Sequence, residues 1–205
     1  MTLSQGEAVG RSGSSNRSAA KAWLRALELT APIANNPDRI FSTVIEELAD
    51  TFRDAPALLS DRECLTYRAL AERSNRYARW ALDQGLAKGD AVCLLMPNRP
   101  EYMAIWLGIT RVGGVVALLN TNLAGPSLAH CINIVAPKHL IVAAELLDPL
   151  TAALPDLAGA AKIWAHGPGH DHFPRIDRDM QQHAGEQLRN TKCRPLTIED
   201  RALYI

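Results

Sequence analysis

From Ile40 onward the apolar and polar positions keep a regular beat. Phe41 to Phe52 has helical spacing, and Ala57 to Leu65 reads as a short hairpin around Ser60-Asp61-Arg62-Glu63. Thr66 stands where a long helix, running to about Gln84, needs its N-cap. Leu65 and Leu70 are spaced as the hydrophobic staple around that cap. Glu72 with Arg76, and Arg79 with Asp83, read as i,i+4 pairs on its wet side. Gly85 ends the helix, and Lys88-Gly89-Asp90 turns the chain into the next strand.

Four apolar runs follow: Ala91–Met96, Val115–Leu119, His139–Ala143 and Ala161–Trp164. Helical segments separate them, at Pro100–Val112, Pro126–Val135 and Glu145–Ala153. Short strands alternating with helices predict βαβ units, so the fold class is α/β with a parallel sheet. The runs are continuously apolar rather than alternating, which places helices on both faces of that sheet. The helix opened by Pro100 and stopped by Gly113 is apolar nearly all round and reads as buried between layers. Its Trp and Met stripe reads as core rather than as a cofactor box. Ligands of open parallel sheets sit beyond the carboxyl ends of the strands, here Pro97-Asn98-Arg99 and Asn120-Thr121-Asn122. Both loops are polar and are the places to look for a site, although Asn and Pro also serve ordinary turns.

Ahead of this body, residues 1–18 form a Gly/Ser-rich segment that reads as a disordered tail, without the apolar stretch of a secretory signal. Residues 19–39 comprise a helix and a Pro/Asn linker, and 40–205 the main domain. The helix, Ala19 to Leu29, places Ala19, Ala22, Trp23, Ala26 and Leu27 on one face and Lys21, Arg25 and Glu28 on the other. Such a stripe usually packs on its own domain; peripheral contact with a membrane surface is the alternative. The most hydrophobic window, Met103–Leu119, falls short of a bilayer span and is interrupted by Arg111 and Gly113-Gly114.

Composition narrows the class. With 47% hydrophobic and 21% charged residues, 22 Lys+Arg against 22 Asp+Glu, the 205-residue chain is globular, and no basic patch suggests nucleic acid. Cys64, Cys93, Cys131 and Cys193 are scattered without metal-ligand spacing, which points to free thiols in a reducing, cytoplasmic compartment. There is no GxxxxGK[ST], GxGxxG after a strand, GxSxG or HExxH. Gly167-Pro168-Gly169 is a lone GxG in a loop. His166, His170, Asp171 and His172 offer zinc-type ligands, but the embedded Gly and Pro leave no helix to fix their geometry, and a solvated loop is expected. The final run, Ala202-Leu203-Tyr204-Ile205, looks like a strand just starting, as though a domain were cut through.

Several segments together resemble the N-terminal part of the adenylate-forming enzymes, the acyl- and aryl-CoA synthetase superfamily. They are Leu65-Thr66-Tyr67-Arg68-Ala69-Leu70, Ser74-Asn75-Arg76, Lys88-Gly89-Asp90-Ala91-Val92, Met96-Pro97-Asn98-Arg99-Pro100-Glu101-Tyr102 and Gly113-Gly114-Val115-Val116-Ala117-Leu118-Leu119-Asn120. The stretch from Asn120 through Gly125-Pro126 to His130-Cys131 is similar to the fatty acid transport, very-long-chain acyl-CoA synthetase branch. Ala124 and Arg99 depart from that pattern, the first from a basic residue and the second from a small one.

The resemblance implies a partial N-terminal AMP-binding domain, incomplete at its C-terminal end. It implies a two-step ligase in which ATP adenylates a fatty carboxylate and CoA thiolate then displaces AMP. ATP, magnesium and CoA are the cofactors it implies, with tight binding of none expected by this chain alone. The family's phosphate-binding loop follows a strand matching Ala202–Ile205, so no catalytic, cofactor-binding or metal residue carries over. The chain is therefore expected to be an inactive fragment of a long-chain fatty acid–CoA ligase. The alternative is a standalone flavodoxin-like binding or interaction module.

Overall fold

The computed structural model describes residues 18–169, 172–188 and 195–205. The Gly/Ser-rich tail up to Arg17, and His170, Asp171 and Cys193, lie outside the described residues. The chain divides into two compact units, residues 1–36 and 37–205. In the first, α1 (Ala19–Thr30) is followed by a 3-10 turn, Ala31–Asn35, with Pro32 as its second residue.

The second unit opens with α2 (Phe41–Phe52) and the antiparallel pair β1 (Pro56–Leu59) and β2 (Cys64–Thr66). Thr66 caps α3 (Tyr67–Asp83), its hydroxyl accepting from the Ala69 N–H at 3.1 Å. Leu65 and Leu70 are both buried in the cluster beneath, as the staple requires. The expected surface pairs along α3 do not form. Arg79 turns instead to the carbonyls of Ala184 and Glu186, at 2.9 and 2.7 Å, which compete better for a guanidinium than an exposed carboxylate does. Among the described residues Arg76 has no ion pair with Glu72 either.

Then come β3 (Ala91–Leu95), α4 (Pro100–Arg111), β4 (Val115–Leu118), α5 (Gly125–Val135), β5 (His139–Ala143), α6 (Leu147–Thr151), β6 (Lys162–His166), α7 (Ile176–Asp179) and β7 (Leu203–Tyr204). The five strands β3 to β7 form one parallel sheet in the order β6-β5-β3-β4-β7. The α/β parallel architecture read from the sequence is thus the observed one, and the terminal apolar run pairs with β4 through Val116 opposite Leu203. The continuous helix expected over Glu145–Ala153 is a 3-10 turn, Ala144–Leu146, and the five-residue α6. Pro149 is the reason: it lacks an N–H, and its ring would clash with the Glu145 carbonyl of a longer helix.

Alternate residues of each strand enter different cores. Val92, Leu94, Ile141 and Trp164 face α2, α3 and α4, whereas Cys93, Leu95, Leu140 and Ala165 face α5 and α6. Burial pushes the Cys93 thiol, helped by Cys131, up to about 12, so it behaves as a small hydrophobe. On the first face α3 and α4 lie so close that a Cβ on Gly108 would stand 2.5 Å from the Tyr77 Cβ and 2.6 Å from the Ser74 carbonyl oxygen. Gly113, at φ +88°, ends α4 in a conformation that favours glycine.

The sheet order carries a topological consequence. In chain order the first four strands of the sheet follow the flavodoxin-like arrangement 2-1-3-4, but the fifth returns to pair beside the second. The chain must therefore travel from the β6 edge to the β4 edge. On the way, residues 184–188 run past α3 and α4, held at their carbonyls by Asn75, Arg79 and Arg111.

Candidate functional site

The site to examine is set by the strand order. After β3 the chain leaves towards the α3–α4 face, and after β5 it leaves towards the α5–α6 face, so the carboxyl ends of these neighbours flank a crevice. Arg99, from the loop after β3, fills it. Its Nη1 donates to Glu145 Oε1 at 2.8 Å, across from the end of β5. Its Nη2 lies 3.4 Å from Nδ1 of His166, the last residue of β6.

Behind Arg99 is a buried carboxylate. Glu101 sits in the first turn of α4, where the exposed N–H groups and the helix dipole favour an anion. Its Oε2 accepts from Arg73 Nη1 at 2.5 Å, its Oε1 accepts from the Tyr77 phenol, and His166 Nε2 approaches Oε1 at 3.5 Å. Arg73 also donates to Glu63 at 2.7 Å, which ties the β1–β2 hairpin to the network. On the far side Arg175 pairs with Asp177, whose Oδ1 accepts from the Gly167 N–H.

The electrostatics follow from these contacts. Burial alone would raise the Glu101 carboxyl, but hydrogen bonds from His166 and Tyr77 and the positive charge of Arg73 outweigh it and bring it down to about 2. Burial and the neighbouring Glu101 charge push the Tyr77 phenol well above its usual range. Glu101 is therefore an anion and Tyr77 a neutral donor throughout the physiological range. Glu101, Tyr77, Arg73 and His166 engage one another, an arrangement that fixes loops at the carboxyl edge.

Of the two loops singled out in the sequence, the structure assigns different parts. Pro97-Asn98-Arg99 supplies the residue that closes the crevice. Asn120-Thr121-Asn122 makes an Asx turn, the Asn120 side chain accepting from the Asn122 N–H at 2.9 Å, and among the described residues no side-chain hydrogen bond joins it to Arg99. His166, placed by the sequence in a loop with three other candidate ligands, closes β6 and turns to Arg99 and Glu101. His172 is exposed, and among the described residues no group of three His, Cys, Asp or Glu side chains is placed to hold a metal.

Sequence reasoning missed Glu101, Arg73, Tyr77, Glu145 and the role of His166. One signal was present: Glu101 is the lone acid in the otherwise apolar run Tyr102 to Ile109 and its flanks, and an acid buried there needs a partner. Nothing in the sequence named the partner, which lies 28 residues away. Among the described residues the guanidinium in the crevice is paired to Glu145.

Comparison with known proteins supplies what the site does not. Residues 45–201 match the family model described as AMP-binding enzyme. Long-chain fatty acid transport protein 6 of Mus musculus is 36% identical over 126 residues, which cover 60% of this chain and 20% of that protein. A long-chain-fatty-acid–CoA ligase of Salmonella typhimurium is 35% identical over 134 residues, 63% of this chain and 24% of the ligase. Among solved structures, the anthranilate CoA ligase AuaEII in complex with anthranoyl-AMP superposes with a TM-score of 0.72 at 18% identity, over 79% of this chain and 31% of that one. The chain thus spans about a fifth to a quarter of the length of the two curated relatives.

Proposed function

The chain belongs to the AMP-binding enzyme family, and from that premise we propose that it supplies the front of an ATP-dependent long-chain fatty acid–CoA ligase. The reaction is adenylation of a fatty carboxylate with release of pyrophosphate, then attack of CoA thiolate on the acyl adenylate with loss of AMP. The single observation that carries the reading is the 35% identity to a long-chain-fatty-acid–CoA ligase over 134 residues. Fatty acid, ATP, magnesium and CoA are the ligands this reading requires. No chemical step is assigned to the described residues. Arg99, Glu101 and His166 hold the carboxyl edge of the sheet in register, and the 205-residue chain is catalytically incomplete.

ATP–pyrophosphate exchange with palmitate tests the incompleteness. The purified chain is expected to show no fatty-acid-dependent exchange, and clear exchange would overturn that part of the proposal. Sequencing the gene past the codon for Ile205 tests the rest. If the frame continues, the longer product should form palmitoyl-CoA from palmitate, ATP and CoA, and failure to do so would sink the ligase reading. A stop codon would return the chain to a flavodoxin-like module, a reading that the position of β7 beside β4 counts against.

A further inference from the structure

We infer that α1 is an in-plane anchor that lays Trp23, Leu24 and Leu27 on an anionic lipid surface. The inference concerns attachment, not catalysis, and stands apart from the ligase reading.

The helix is twelve residues long and none of them is buried. At 1.5 Å per residue it measures about 18 Å, too short to cross a bilayer, and among the described residues no helix is long and apolar enough to do so. Lying in the surface is the geometry left to it. At 100° per residue Trp23 and Leu27 centre an apolar face, with Leu24 and Leu29 at its borders and Lys21, Arg25 and Glu28 on the narrow opposite side. The exposures are 68% for Trp23, 56% for Leu24, 48% for Leu27 and 67% for Leu29. Eleven large apolar residues are exposed among those described, and four of them fall within these seven positions. Elsewhere they occur singly or in pairs, the ordinary condition of a protein surface.

Charge selects the occupant. Residues 1–36 contain Arg11, Arg17, Lys21 and Arg25 against Glu7 and Glu28, a net charge of +2. The whole chain is neutral, so residues 37–205 carry −2. Neither Lys21 nor Arg25 makes an ion pair among the described residues. A segment that concentrates apolar side chains and unpaired cations, joined to a body of opposite sign, matches anionic headgroups above acyl chains. Trp suits that boundary, with an apolar ring and an N–H that needs a wet partner.

The test uses the full chain and sedimentation with vesicles of phosphatidylglycerol and phosphatidylcholine in equal parts. Binding is expected, with a blue shift of tryptophan emission that Trp23→Phe removes, since Trp80 and Trp164 are already buried and the half-buried Trp106 is packed against the core. Leu24→Asp with Leu27→Asp should lower the partition coefficient about a hundredfold without changing the melting temperature. Lys21→Glu with Arg25→Glu should lower it at least about tenfold, and pure phosphatidylcholine should bind as weakly. No sedimentation of the wild-type chain overturns the inference. So does binding that ignores the Asp pair, or binding equal on neutral vesicles. If the Asp pair instead turns a dimer into a monomer by light scattering, with no vesicle binding, the face belongs to a second copy and the inference falls.

Discussion

The two faces of the parallel sheet are built on different physical terms. Against α2, α3 and α4 lie all six buried polar or charged residues among those described: Ser42, Ser74, Asn75, Glu101, Arg111 and His139. Against α5 and α6 the buried residues are Cys93, Leu95, Ala117, Leu128, Ala129, Ile132, Leu140, Val142, Leu147, Leu150, Ala153 and Ala165, without an ionisable group beyond the inert thiol. Area removed from water holds the second face. The first also depends on pairings that are costly to break singly, because removing one partner strands another in a poorly solvated place. The difference follows the topology. The first face carries the chain from β6 back to β4 and anchors the carboxyl-edge crevice, and both tasks require polar backbone and charge to enter the interior.

The sharpest way to break this contrast is to remove one group from each face. Glu101→Ala should destabilise the chain by about 4 kcal/mol, since it leaves Arg73, Tyr77 and His166 without their common acceptor. Leu128→Ala, wholly buried on the other face, should cost about 3 kcal/mol through lost transfer energy and a cavity. Urea unfolding measures both. The sizes are similar but the accompanying changes should differ. Glu101→Ala should loosen the Glu63 hairpin and the end of β6, seen as faster amide exchange at both, whereas Leu128→Ala should leave them protected. Equal loss of protection in both variants would mean that the network is not a separate cooperative unit.

Acid sharpens the same comparison. Glu101 has a folded pKa of about 2, below the unfolded carboxylate value, so the unfolded chain takes up its proton first as pH falls. Its contribution is fully present above about pH 4.5 and is lost on the way down to about pH 2, up to about 3 kcal/mol. Asp90, Asp177 and Asp200 are also depressed and act in the same direction, while Glu46, raised by its burial, acts in the opposite one. The wild-type curve is therefore composite, and the diagnostic quantity is its difference from Glu101→Gln. That variant should be less stable at neutral pH and visibly flatter between pH 4.5 and 2. Parallel curves would show that the carboxylate charge is not what the network uses.

The same asymmetry explains what could be read in advance. Strand runs such as Ala91–Met96 and His139–Ala143 are legible because burial on both faces demands apolar residues throughout, a purely local signal. The Thr66 cap is legible for the same reason, since donor and acceptor are three residues apart. Glu101 with Arg73, Arg79 with the 184–186 carbonyls, and Arg99 with Glu145 are pairings across 28 to 107 residues. Their members look like surface charges until the fold joins them. Glu72 with Arg76 erred in the other direction, because helical spacing permits an exposed pair without making it worth forming. At α6 the proline is visible in the sequence, and its steric effect outweighs the apolar pattern around it.

Gly108 gives the smallest and most discriminating perturbation. In mid-helix, Ala is favoured over Gly by up to about 1 kcal/mol, so Gly108→Ala would stabilise α4 if nothing stood nearby. Here the new methyl would meet the Tyr77 Cβ at 2.5 Å and the Ser74 carbonyl oxygen at 2.6 Å. Neither is the free end of a flexible side chain, so relief requires α3 and α4 to separate, at an overpacking cost of about 1–3 kcal/mol. Separation would also lengthen the reach from α3 to Glu101, since Tyr77 and Arg73 both extend from α3 to α4. A net loss of about 1 kcal/mol is expected, with part of the acid sensitivity removed along with it. A stabilised variant with an unchanged acid profile would mean that the two helices have slack, and that the polar network rather than close packing sets their distance.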